Sequence, residues 1–312
     1  MRTKRSERFV PPLTFLQLPY SQDFAEADVA VLGIPFDCGT HPTRIGSRLG
    51  PNAIREQSEL TLELIEDAEP TPLSAMTVID AGNVNLTPGR IGEAFAEIDA
   101  AVDAILNGGC RPLTMGGDGA VTLPQLRALG RHRADVAVLH FDAHTDAYPL
   151  LSDDHYDNAT TFTQAAREAV IDVRNSIHVG TRAPVNATGT IQFTRQLGYR
   201  VEPIEDVKRK GPATLAAELR ERLAGRKVYL CFDMDFFDPS VAPGVCTPTP
   251  GGATAFEGLQ ILRGLRGLDI IAADVNTVSP PQDSAGMTAA LAATVMVECL
   301  ELMSAERDSK GR

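Results

Sequence analysis

Eight short apolar runs, most of them rich in β-branched residues, recur along the chain, and the segments between them carry helical periodicity. No other feature narrows the possible folds so far. The runs are DVAVLGI from Asp28, MTVIDAG from Met76, RPLTMGG from Arg111, DVAVLHFD from Asp135, SIHVG from Ser176, YRVEP from Tyr199, KVYLCFD from Lys227 and DIIAADV from Asp269. Near-continuously apolar strands that alternate with helices belong in a parallel sheet covered on both faces. The clearest crossover runs from Pro88 to Leu106, with Ile91, Phe95, Ile98, Val102 and Ile105 on one helical face. Thr87 is its expected cap, Pro88 suits its first turn, and Asn107-Gly108 stops it. With no internal repeat and no separating linker, the expectation is an α/β protein with a single doubly wound, mostly parallel sheet. Residues 13–304 would form the domain, with tails at 1–12 and 305–312.

Charge and cysteine usage narrow the function. A formal charge of -12 disfavours nucleic acid and is compatible with small cationic substrates. The basic start, MRTKRSERF, is followed by no apolar segment of signal-peptide length, and the apolar runs read as too short to span a bilayer. Five cysteines without a CxxC pair point to reduced thiols and a cytoplasmic protein, and Cys246 reads as a small buried filler. The glycine turn TMGGDGAVTL lacks both GK[ST] and GxGxxG, and Asp118 would repel a phosphate at the helix start. Its expected role is structural, with Gly116 and Gly117 turning the chain and Asp118 bonding within the loop.

In open parallel sheets, ligands bind outside the carboxyl ends of the strands. Two acidic clusters stand there: HFDAHTDAY (His140 to Tyr148) and CFDMDFFDPSVAPGVCTPTPGG (Cys231 to Gly252). If strand alternation continues through them, Asp142, His144 and Asp146 share one side, and so do Asp233 and Asp235. So many like charges repel unless cations neutralise them, and oxygen donors with one imidazole suit Mn, Fe, Co, Ni or Mg. Two divalent ions would balance four aspartates, and a carboxylate-bridged pair can present hydroxide to an unactivated C–N or P–O bond. His140 lies on the same face, where a satisfied strand histidine or an outer partner of a ligand is expected.

DAHTD together with FDMDFFDPSVAPG and TPTPGG resembles the ureohydrolase family of arginases, agmatinases and guanidino-acid hydrolases, with the agmatinase branch nearest. LTFLQLPY, VLGIPFDCGT, IGSRLGPNAIR, VIDAGNVNLTP, HVGTR and DVNTVSPPQDSAGMTAALAA extend the likeness over nearly the whole chain. The resemblance implies an arginase-like α/β fold, a binuclear manganese or nickel centre, and hydrolysis of guanidinium groups. It also implies that Asp142 and Asp233 bridge the ions, that His144 and Asp235 complete one site, and that Asp146 serves the other.

Three positions depart from the family pattern. Where the family writes Gly-Gly-Asp-His-Ser, this chain has Gly119, so the metal site served by Asp146 loses its imidazole. Where the family has His-Gly-Thr, its proton shuttle, the chain has Asn158 in DNATTF, with His155 three residues earlier as the other candidate. Where a glutamate usually precedes VSP and grips the substrate, Thr277 stands. These losses lead to the expectation of a catalytically impaired or auxiliary subunit that holds one ion or none and pairs with an intact homologue in a trimer or hexamer. The complex would hydrolyse a guanidine or biguanide, for example a metformin-like compound. The alternative is a self-sufficient agmatinase- or guanidinobutyrase-like hydrolase with a rebuilt metal site.

Overall fold

The computed structural model describes residues 12–38, 41, 43–66, 71–87, 89–133, 135–182 and 188–310. All eight expected strands are present: β1 (Val29–Ile34), β2 (Val78–Asn83), β3 (Arg111–Gly116), β4 (Ala137–Phe141), β5 (Ile177–Thr181), β6 (Arg200–Pro203), β7 (Lys227–Asp233) and β8 (Asp269–Asn276). They form one sheet in the order β2-β1-β3-β8-β7-β4-β5-β6, and each pairing between neighbours is parallel. The helices are α1 (Gly50–Glu66), α2 (Pro72–Ala75), α3 (Ile91–Asn107), α4 (Thr122–His132), α5 (Thr161–Arg167), α6 (Thr190–Leu197), α7 (Ile204–Leu223), α8 (Ala255–Gly264) and α9 (Met287–Lys310).

Strand alternation divides the core between the two faces of the sheet. Val29, Val31, Leu113 and Met115 point to the side where Ile54 of α1, Leu219 of α7, Ile261 of α8 and Met296 of α9 pack. Ala30, Leu32 and Ile34 point to the other, against Phe95 and Ile98 of α3, Leu126 of α4 and Phe162 of α5. A buried pair pins α1 to β2: Arg55 donates Nε to Asp80 Oδ2 at 2.8 Å and Nη2 to Asp80 Oδ1 at 2.9 Å.

Some expectations change. Helix α3 begins at Ile91 after Arg90, and Thr87 does not cap it, because its hydroxyl and N–H both donate to Glu97 at 2.6 and 2.7 Å. The helix stops at Gly108 as expected, while Pro88 lies outside the described residues, as does nearly all of the expected tail 1–12. The backbone of α9 runs on through Lys310, into the stretch assigned to a C-terminal tail. One apolar run was also underestimated, since Met287–Ser304 is long and apolar enough to cross a bilayer. In the fold this segment is a core helix, with Ala289, Ala292, Val295, Met296 and Cys299 packed into the sheet's apolar layer.

Candidate metal centre

The four middle strands, β3, β8, β7 and β4, deliver their carboxyl ends to one place. At the end of β3 the glycines are required by space: a Cβ at Gly116 would meet Ile34 O at 2.7 Å, and one at Gly117 (φ +23°) would meet Val121 Cγ1 at 2.5 Å. Asp118 bonds within the loop as expected, accepting from Ala120 N at 3.1 Å, and also accepts from Cys38 N at 2.7 Å. Burial pushes its carboxyl up to about 6, against the pull of these two N–H donors.

Asp142 follows β4, and Asp233 ends β7. Beyond them the chain leaves the strand, so alternation is not what makes the side chains converge. Asp233 accepts from Asp235 N at 2.7 Å in a tight turn, Asp142 Oδ1 accepts from His144 N at 2.6 Å, and Asp146 takes a left-handed backbone, φ +48°. His144 Nδ1 then sits 3.2 Å from Asp142 Oδ1 and 3.1 Å from Asp235 Oδ2. Asp235 Oδ1 accepts from Ala143 N at 3.0 Å, which ties the two acidic loops together. Asp233 completes this side, accepting from Thr277 Oγ1 at 2.5 Å.

Asp142, Asp146, Asp233 and Asp235 are all buried. Burial raises the carboxyls of Asp146, Asp233 and Asp235, and their neighbouring carboxylates raise them further. Burial would do the same to Asp142, but His140 and His144 beside it outweigh that and hold it well below the carboxylate range. His144 is driven well above the usual imidazole value, because Asp235 and Asp142 overcome the opposing effect of burial. Such a cluster cannot ionise fully without a cation, and oxygen donors joined by one imidazole fit a divalent first-row ion.

The three departures are neighbours of this cluster. A Cβ at Gly119 would lie 2.8 Å from Asp146 Oδ2 and 3.4 Å from Asn158 Cβ, so a side chain there would face the Asp146 carboxylate. Asn158 lines a small cleft with Asp37, His41, Arg44, Asp118 and Cys246, and its Oδ1 is buried without a hydrogen-bond partner among the described residues. His155 is committed within its own loop, with Nε2 3.0 Å from Asp157 Oδ2 and Nδ1 accepting from Leu151 N at 3.2 Å. Thr277, also left-handed at φ +64°, turns its hydroxyl to Asp233. Cys246 is buried against Ser47 Oγ at 2.9 Å, as a filler should be. A larger cleft of about 410 Å³ lies between Phe95, Arg127 and Tyr156, and no member of the acidic cluster lines it.

Two residues of the centre were not singled out from sequence. His178, opposite His140 in the β4–β5 register, places Nδ1 2.8 Å from His140 Nδ1, and His140 Nε2 lies 3.0 Å from Asp142 Oδ2. His140 thus stands as the outer partner of a candidate ligand. Arg182, also buried, donates to the carbonyls of Asp235 at 2.6 Å and Thr249 at 2.7 Å, fixing the loop behind Asp235. The only signals for these were a histidine inside the apolar run SIHVG and an arginine just after it.

Residues 27–301 match the family described as Arginase family. The chain is 37% identical to the guanidinobutyrase of Pseudomonas aeruginosa, over 94% of this chain and 92% of that one. It is 36% identical to the agmatinase of Photorhabdus laumondii, over 95% and 92%. Among solved structures, proclavaminate amidino hydrolase from Streptomyces clavuligerus is similar with a TM-score of 0.90 and 33% identity, covering 97% of this chain and 100% of that one.

Proposed function

The chain belongs to the arginase family, and from that premise we propose that it is the catalytically impaired, auxiliary subunit of an amidine hydrolase, paired with an intact homologue in a trimer or hexamer. The observation that carries this reading is Gly119. The position whose side chain would face Asp146 has none, and the Asp146 carboxylate lies 2.8 Å from where its Cβ would be. Asn158 supports it, because an amide does not exchange protons near neutral pH. Thr277 supports it as well, since its hydroxyl is spent on Asp233 and leaves no carboxylate to grip a guanidinium.

Asp142, His144, Asp233 and Asp235 would hold one divalent ion, Mn or Ni, while the Asp146 side is short of an imidazole. A bound cation supplies charge neutralisation and Lewis acidity for C–N hydrolysis. The substrate of the complex is a small guanidine-type or biguanide cation, and cysteines that form no disulfide among the described residues suit a reducing cytoplasm.

The test is turnover by the chain purified alone and loaded with Mn or Ni, against the chain co-purified with its homologue, on agmatine, guanidinobutyrate, guanidine and metformin. Hydrolysis only in the complex is expected; equal rates from the isolated chain would overturn the reading. That second outcome would favour a self-sufficient hydrolase, a reading motivated by the retained four-residue set. In that case Asp233→Ala should abolish turnover.

A further inference from the structure

We propose that Arg174, Arg200, Arg222 and Arg226 form a binding site for a small multivalent oxyanion of the phosphate class, at the end of the sheet opposite the acidic cluster. All four are anchored to one short turn, Val173–Asn175, or to the residues that flank it. Arg174 lies within the turn and is exposed. Arg222, in the last turn of α7, donates Nη2 to Arg174 O at 2.8 Å. Arg200, the first residue of β6, donates its N–H to Ser176 O at 3.2 Å and stands opposite Ile177 in the β5–β6 register. Arg226, just before β7, places Nη1 3.6 Å from Asp172 Oδ2. Because the strands run parallel, the starts of β5, β6 and β7 share one edge of the sheet, and the acidic cluster follows strand ends at the other.

The counter-charge at this turn is small. Asp172 faces Arg222 and Arg226, but Asn175 already donates to its carboxylate from both Nδ2 and N. Glu202 lies 3.7 Å from Arg200 Nη2 and is held more closely by Lys210. Burial and the neighbouring guanidiniums of Arg200 and Arg226 hold Arg222 below the usual arginine value, and Asp172 does not restore it. Arg222 Nε gives the independent observation: it is buried and has no hydrogen-bond partner among the described residues. A guanidinium donor shut off from water needs an acceptor, which in native structures an ion or a water supplies. Guanidinium forks match phosphate oxygens bidentately, and an oxyanion among several of them replaces mutual repulsion with attraction. Arg200 and Arg226 are 50% and 40% exposed, so a solute can reach the cluster. On a chain of formal charge -12, this positive field belongs to the turn and not to the surface as a whole. The inference rests neither on the metal centre nor on which chain performs hydrolysis.

The test is calorimetric titration of the full, chelator-treated chain with inorganic pyrophosphate and with inorganic phosphate at fixed ionic strength, together with sedimentation of each variant. Removing metal first keeps the probe from binding an ion at the acidic cluster. Pyrophosphate should occupy one site per chain and bind more tightly than phosphate. Arg222→Gln, Arg200→Gln and Arg226→Gln should each weaken it at least about tenfold, the loss expected of a hydrogen bond between charged partners. Arg222→Lys keeps the charge without the fork and should weaken it at least about threefold. Arg90→Gln removes the same charge from an exposed pair elsewhere and should stay within about twofold. No pyrophosphate binding by the native chain would overturn the proposal. So would binding that survives Arg222→Gln, or that falls equally in Arg90→Gln, which is the behaviour of diffuse attraction. If Arg222→Gln dissociates an oligomer of the native chain and leaves pyrophosphate binding as it was, the cluster is a subunit contact and the proposal fails. Should Arg222→Gln not fold, the variants at the half-exposed Arg200 and Arg226 carry the same comparison.

Discussion

Gly119→His should tighten cation binding on the Asp146 side while leaving the fold intact, and the structure gives the size of each effect. The new Cβ would stand 2.8 Å from Asp146 Oδ2 where ordinary contact begins at 3.4 Å, so the carboxylate must move by a few tenths of an ångström. That carboxylate is the far end of a side chain, and an off-rotamer adjustment costs about 0.5–1.5 kcal/mol. Gly119 is not left-handed, so exchanging glycine for a residue with a Cβ returns about 0.4–1 kcal/mol through the unfolded state. Stability of the chelated protein should therefore change by less than about 1 kcal/mol. An added imidazole is worth at least what an outer partner is, about 10- to 100-fold in affinity, or about 1.4–2.8 kcal/mol. Calorimetric titration with Mn²⁺, alongside thermal melts with and without chelator, measures both quantities. If the variant melts like the parent and its Mn²⁺ affinity and stoichiometry stay as in the parent, position 119 does not face the ion and the reasoning fails.

The remaining expectations concern the scaffold and the charge balance. Asp80→Ala strands a guanidinium that is 3% exposed and removes the acceptor for Phe15 N, so urea unfolding should show a loss of about 3–5 kcal/mol. Asp146, Asp233 and Asp235 have folded values raised above their ordinary 3.8, and His144 is raised above 6.5. The stability these four groups give the chelated protein is present below those ordinary values and lost as pH rises through the raised ones, so its melting temperature should fall from pH 6 to pH 9, roughly the range above the ordinary imidazole value. Asp142, whose value is lowered, opposes this only at the acid end, and a bound divalent ion should flatten the slope. In native protein the buried cysteines should resist a thiol reagent at neutral pH. Cys110, Cys231, Cys246 and Cys299 are buried, with Cys110 pushed up to about 12 by burial, and should react only on unfolding.

Most of the strands were legible because they are buried and apolar on both faces, as β1, β4 and β7 are, and so stand out from the helices around them. Six of the eight begin within one residue of the run that announced them, and β2 and β4 begin two residues in. Their lateral order was not legible, since nothing local in DIIAADV says that it lies between β3 and β7. The acidic clusters were visible as composition, but the alternation argument offered for their convergence does not hold. The chain turns at Asp142 and Asp233, and local hydrogen bonds aim the carboxylates. His178 could not be found without the β4–β5 register, because its partner His140 is distant in sequence and adjacent only across the ladder. Thr87 shows the limit at a helix end: a good capping residue was recruited by Glu97 on the next turn of the same helix instead.

The sheet order also bears on how the protein is made. The last strand to be synthesised, Asp269–Asn276, is the one that joins β3 to β7. While the ribosome adds the residues after Asp233, at about 5–20 per second, the nascent chain carries two half-sheets with unpaired inner edges. Unprotected strand edges invite pairing with other chains, and here they belong to β3 and to β7, the strand that ends in Asp233. Chains released before Asn276 should therefore aggregate or be held by chaperones rather than persist as smaller folded fragments. The acidic cluster, borne by the adjacent strands β4 and β7, already lies in one of those halves; what closes last is the sheet beside it, when β8 brings Thr277 to Asp233.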